Sequence, residues 1–222
     1  DAAKALSEPL SGDFHLGLIP TISPYLLPHI MGPLGAELPK VNFYLHENQT
    51  HVLLQELDEG KLDVVILSWL DSIENVERYN LYSEPLVLAA PRDQPLAKLS
   101  EASLKDLDGQ LVLTLEDGHC LRDETLDYCF TAGAREDQRF QATSLETLRY
   151  MVASGLGITL MPQLAVRSAD EEQGLHYVPF GSPPPSREIC LLVRPNYSRM
   201  EAVRAMVACI RQAMSPLPQP QA

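Results

Sequence analysis

The chain has 222 residues, 45% hydrophobic and 21% charged, an ordinary globular balance that excludes a disordered or low-complexity polypeptide. Its 17 Lys and Arg stand against 30 Asp and Glu, a formal net charge of -13, which opposes nonspecific nucleic-acid contact because such contact depends on neutralising phosphates. No basic segment leads into an apolar stretch with a small-residue cleavage site, and no run of about 18 apolar residues is present to span a bilayer, so a soluble cytoplasmic chain without membrane contact is expected.

Apolar runs bounded by turn residues alternate with helical patterns, the signature of strands joined by crossover helices in a largely parallel sheet, and the class expected is α/β. Phe14 to Leu18 reads as a first strand, Tyr25 to Leu38 as a helix ended by Pro39, and Val41 to Leu45 as a second strand. Thr50 to Glu59 reads as a helix stopped by Gly60, Val64 to Leu67 as a buried strand, and Leu86 to Ala90 as another just past Glu84-Pro85. A second set of units follows, with strands at Leu111 to Leu115 and Phe140 to Ala142, a helix from Leu145 to Ser154 and a strand at Ile158 to Met161. Beyond the stiff Pro183-Pro184-Pro185 come an apolar strand, Ile189 to Val193, and a closing amphipathic helix, Met200 to Met214. The expected organisation is two Rossmann-like subdomains with a cleft between them. Residues 14-84 and 187-215 form the first, 85-186 the second, 1-13 the end of a linker, and 216-222 a frayed tail.

Four cysteines, at 120, 129, 190 and 209, are too few for a disulfide scaffold in a chain of this length, and their spacing matches no zinc signature. On composition alone each reads as a buried, inert thiol, and Cys190 and Cys209 are assigned to the core. His46 and His51, five apart at a strand-to-helix junction, match no recurrent ligand spacing, so neither metal nor cofactor is expected. Gly155-Leu-Gly157 follows a helix and precedes a strand, the reverse of the phosphate-cradling order. Ser144 can cap the helix that follows it, with Thr147 in the first turn.

The stretch from Ser144 to Pro162, in which a helix ends in glycines and feeds a strand closed by Pro, resembles the periplasmic-binding-protein-like effector domain of LysR-type transcription regulators. A sharper match lies in Leu115-Glu-Asp-Gly-His-Cys120-Leu-Arg-Asp123 with Cys129 nine positions on, in Gly17-Leu-Ile-Pro-Thr21, and in His46-Glu-Asn-Gln-Thr50-His51. These segments resemble the peroxide-sensing branch of that family. The resemblance implies that Cys120 reacts with hydrogen peroxide and Cys129 resolves it as a disulfide, with His119 and Asp123 beside the reactive thiol. It further implies that the Thr21 and Thr50 hydroxyls help bind peroxide or water and that Arg187 supports the site, although each Thr also suits a helix cap. Family members carry a basic winged helix-turn-helix domain that nothing before Phe14 supplies. The resemblance therefore implies a regulatory part only, dimeric, tetrameric in the full-length protein, reaching DNA through the missing half, and served by a cellular thiol reductant and RNA polymerase.

The residues around Cys120 support the same chemistry, since the reactive species is the thiolate and positive potential favours it. His119, Arg122 and a helix N-terminus at Leu121 to Phe130 could each supply that potential. Asp123 works against it, and either orients a water, a hydroxyl or His119, or merely favours the helix dipole. Nine residues of intact helix separate the two cysteines by about 13 Å at 1.5 Å per residue, whereas a disulfide needs Cα atoms within about 7 Å. Bonding them requires the segment to refold, together with whatever Leu121, Leu126 and Phe130 bury. Competing readings are an effector domain that binds a small metabolite in the cleft, a thiol peroxidase, and a solute-binding receptor. Cys120 lacks a Pro-x-x-x-Thr-x-x-Cys peroxidase context, and a regulator rather than an enzyme is expected.

Overall fold

Strand pairing begins earlier than Phe14, with Ser11 already opposite Lys40. In the computed structural model, which describes residues 10-171 and 173-215, strand β1 spans Ser11–Leu18, so three residues assigned to the linker are sheet. Residues 1-9 of that linker end and the tail at 216-222 lie outside the described residues. The chain divides into two units, one running to Ser83 and resuming at Glu188, the other comprising Glu84–Arg187.

In the first unit β1 pairs in parallel with β2 (Lys40–Glu47) on one side and β3 (Val64–Ser68) on the other. Strand β9 (Ser186–Val193) returns antiparallel to β3, with Ser68 opposite Ile189 and Val64 opposite Val193. Helix α1 (Ser23–Glu37) follows β1 and packs against the closing helix α5 (Met200–Ala213), while α2 (Thr50–Asp58) follows β2 and covers β3. Phe14, Leu16 and Leu18 of β1, all of β3, and Ile30, Leu34, Leu53, Met206 and Ile210 form its core. Fully burying each such large side chain is worth about 1.5–3 kcal/mol.

In the second unit β4 (Glu77–Pro91) pairs antiparallel with β7 (Thr159–Pro162) and β8 (Leu175–Val178). Strands β5 (Leu111–Leu115) and β6 (Arg135–Ala142) are parallel, joined by helix α3 (Cys120–Thr131), and α4 (Leu145–Ala153) follows β6. Helix α4 opens as expected, with Ser144 Oγ accepting from the Thr147 N–H at 3.2 Å. Gly155 beyond its end has φ +84, and a Cβ on Gly157 would stand 2.8 Å from the Leu111 carbonyl oxygen. Only glycine lets that backbone come so close to β5, where Leu113 N–H donates to Ile158 O at 2.8 Å.

The α/β class holds, but the pairing is mixed rather than largely parallel. Strands β7, β8 and β9 arrive antiparallel because each pairs with a partner reached by a return of the chain, not by a crossover helix. Strand β4 is 15 residues long although only Leu86 to Ala90 reads as strand in sequence, since its first half is polar and half-buried and Pro85 interrupts it. β8, between Gly174 and Pro179, has only four residues and leaves no readable pattern.

Candidate functional site

Strand β5 ends at Leu115, the Glu116 N–H closes onto Ala142 O at 2.9 Å, and a turn delivers His119 as the residue preceding α3. Cys120 is thus the first helical residue. Leu121, Thr125, Leu126 and Cys129 recur at helical spacing and are buried, which turns one face of α3 inward and takes both thiols with it. Cys120 is 2% exposed and Cys129 1%. The last turn closes with the Ala134 N–H returned to Cys129 O at 2.9 Å. Phe130 is 54% exposed, so it is not part of the buried cover expected of it, because position 130 falls on the outer face while 126 and 129 face in.

No side chain caps the start of α3, so its first N–H groups and the helix dipole remain the source of potential that favours an anion at Cys120. The other two expected sources are corrected by the structure. Burial pushes the His119 imidazole below the ordinary histidine value, against the opposing pull of Glu116, which leaves it neutral at pH 7. The Arg122 guanidinium is engaged by Glu136 at 3.0 Å, Asp117 at 3.2 Å and Asp123 at 3.7 Å. Glu136 is itself nearly buried and accepts from Thr114 Oγ1 at 2.8 Å, so Arg122 fastens the outer side of α3 to β5 and β6. Asp123 stands largely open, and partial desolvation raises its carboxyl above the usual range against the pull of Arg122.

The two cysteines are alike in burial and differ in position, Cys120 opening α3 and Cys129 standing in its later turns. Burial drives the Cys129 thiol up to about 12, so it stays protonated and unreactive where it is and must move before it can attack anything. Burial also raises Cys190, opposed by Arg78, and Cys209, reinforced by Glu37. Cys190 is fully buried as expected, but Cys209 is not a core residue. It stands half-open on α5, in a groove shared with Pro33, Ala36 and Glu37 of α1.

Thr21 is buried in the turn after β1, and Thr50 is the first residue of α2 after β2. Because β1 and β2 are adjacent parallel strands, both threonines lie at the carboxyl end of that pair, the usual place for ligand-binding groups in such sheets. Neither is a helix cap, since Ile22 and Gln49 hold those positions. Arg187 is 1% exposed and engages Glu84 through Nε and Nη2, each at 2.8 Å. His46 Nε2 lies 3.0 Å from His15 Nδ1 rather than beside His51, and no group of three or more metal-ligating side chains occurs among the described residues. Sequence reasoning missed Thr114, Glu136 and Tyr128. A strand of mostly polar residues hides which acid faces inward, and the Tyr128 partner is 58 residues away.

Residues 7–215 match the family model described as the LysR substrate binding domain. The chain is 47% identical over 214 residues to the "DNA-binding transcriptional dual regulator OxyR" of Escherichia coli (strain K12), covering 96% of this chain and 70% of that protein. Two solved structures are also similar. The oxidized form of OxyR superposes with a TM-score of 0.87 at 48% identity, covering 94% of this chain and 99% of that one. The reduced form superposes with a TM-score of 0.86 at 45% identity, covering 94% and 98%.

Proposed function

The chain belongs to the LysR substrate-binding-domain family, and on that premise we propose that it is the hydrogen-peroxide-sensing regulatory domain of a LysR-type transcription regulator, switched by a reversible Cys120–Cys129 disulfide. The observation that carries the reading is the asymmetry of the two thiols on one helix. Cys120 opens α3 where the dipole favours a thiolate, and Cys129 is kept protonated by burial at the other end. The Cys120 thiolate attacks one oxygen of hydrogen peroxide, the O–O bond breaks, and the departing hydroxide takes a proton to become water, leaving a sulfenic acid. Cys129 then attacks that sulfur, gives up its proton, and the second hydroxide leaves as water. Two thiols and one peroxide become one disulfide and two waters.

Thr21 and Thr50 are assigned in this proposal to binding peroxide or water, His119 and Asp123 to orienting groups beside the thiol, and Arg187 to support through Glu84. A neutral His119 suits that role, since it can accept or donate a hydrogen bond without adding charge. The rest of the proposal follows the family: a homodimer that becomes tetrameric in the full-length regulator, cytoplasmic, returned to the dithiol by a cellular thiol reductant, and acting with RNA polymerase. DNA is reached through a separate basic domain. With a net charge of -13, this chain alone should show no salt-sensitive binding to duplex DNA in an anisotropy titration.

Mass spectrometry of the chain before and after one equivalent of hydrogen peroxide tests the switch. The expected result is a loss of two hydrogens mapped to Cys120 and Cys129, no change in Cys120→Ser, and an unresolved sulfenic acid at Cys120 in Cys129→Ser. Oxidation of Cys129 before Cys120, or a dominant disulfide through Cys190 or Cys209, would sink it.

A further inference from the structure

Tyr128 directly precedes Cys129 on α3, and its side chain is half-buried. Its hydroxyl donates to Ser186 O at 3.0 Å and accepts from the Ser186 N–H at 3.2 Å, so one phenol takes both backbone groups of a single residue. Ser186 opens β9, and the next residue is the buried Arg187 paired with Glu84 of β4. Glu84 also accepts from the Leu164 N–H at 3.1 Å, and the Leu86 N–H donates to Pro185 O at 2.8 Å. The inner end of the cysteine helix is therefore tied, through one side chain, to the two strands by which the chain enters and leaves the second unit.

We propose that Tyr128 is a positioning residue for the redox reaction, holding Cys129 in its dithiol placement through Ser186 and thereby setting the potential of the Cys120–Cys129 couple. The inference rests on the disulfide reading above. Closing that bond brings Cα atoms about 13 Å apart in the helix to within about 7 Å, and the larger movement is assigned to the Cys129 end, to which Tyr128 is covalently bound. Its phenol oxygen cannot stay on Ser186 while Cys129 leaves, so both hydrogen bonds exist only in the dithiol form. An interaction confined to one side of an equilibrium shifts that equilibrium by its own worth.

Equilibration of the chain in glutathione redox buffers, in which two glutathione thiols reduce the protein disulfide and are themselves oxidised to one glutathione disulfide, reads the constant directly. In Tyr128→Phe the dithiol form loses its tie and the disulfide does not. Its formation should be favoured by about fivefold, a potential about 20 mV more negative for a two-electron couple. Hydrogen exchange on the wild-type chain gives a second readout that needs no variant, with the Ser186 amide protected in the dithiol form and losing that protection in the disulfide form. An unchanged potential in a folded Tyr128→Phe, or equal Ser186 protection in both redox forms, would overturn the proposal. If the wild-type chain forms no Cys120–Cys129 disulfide, the switch itself has failed and this inference with it. A disulfide that forms normally with an unmoved potential sinks the role of Tyr128 alone.

Discussion

Helices α3 and α4 lie in the same unit, pack on the same two strands, β5 and β6, and are built on opposite terms. α4 opens on a Ser144 cap, and it buries Arg149 at 1% exposure. That guanidinium binds Asp170, the Tyr177 hydroxyl and, at 2.8 Å, Ala165 O. α3 has no side-chain cap, buries two thiols among its five inward residues, and leaves Phe130 outside. Polar ties toward its two ends join Arg122 to Glu136 and Tyr128 to Ser186. A helix fastened at its centre by a buried charge network stays where it is. One held at a few points beside reactive groups can be released by chemistry at those groups.

The comparison can be broken most severely at Arg149. Its removal in Arg149→Ala takes from Asp170, 1% exposed, the buried one of its two charge partners and leaves only the half-exposed Arg167, and should cost about 3 kcal/mol. A urea titration should show the loss of a stable second unit. Little change in midpoint would mean that α4 is not the anchored helix.

Next in size is Arg122→Ala, which leaves Glu136 facing Thr114 alone and should cost about 1–3 kcal/mol. Its more telling consequence is local. Maleimide trapping of Cys129 in the dithiol chain should accelerate, because α3 opens more often, while the amides of α4 keep their exchange protection. Equal loss of protection in both helices would erase the distinction.

Ser144→Ala removes the α4 cap and should cost about 1 kcal/mol, without shifting the Cys120–Cys129 equilibrium in a glutathione buffer. A shifted equilibrium would show that the two helices respond as one body.

The smallest expected effect is a pH dependence at the head of α3. His119 in the folded chain is held below the ordinary histidine value of 6.5 by burial. The unfolded chain therefore binds the proton first, and stability present above that value is lost as pH falls below it. Thermal midpoints recorded from pH 7.5 to pH 5 should fall less in His119→Asn than in the parent chain. Parallel curves would place the acid sensitivity elsewhere.

Much of this was legible before any coordinates. The α/β class, the Ser144 cap, a helix starting beside Cys120 and the burial of Cys190 each follow from patterns that span a few residues, because capping and amphipathic spacing are local properties. The peroxide-sensing family was legible as well, from short segments around Cys120, Thr21 and Thr50. What local pattern could not carry was the direction of pairing, the extent of β4 and the existence of β8, all of which depend on partners far along the chain. Phe130 and Cys209 were misplaced for a related reason. An apolar side chain announces that it can be buried but not which face of its helix will be covered.

The electrostatics of the site divide along the same line. Sequence alone placed Cys120 at a helix N-terminus and Cys129 nine residues away, too far for a bond within an intact helix, since helical rise is a constant of the backbone. It also placed His119 and Arg122 near the thiol, but charge is not a property of residue type alone. Only the tertiary structure decided that burial disfavours the charged form of His119, that Glu136 engages Arg122, that burial keeps Cys129 a thiol, and that Tyr128 reaches Ser186. Each of those outcomes depends on what surrounds a group in space, and on the cost of taking a charge out of water.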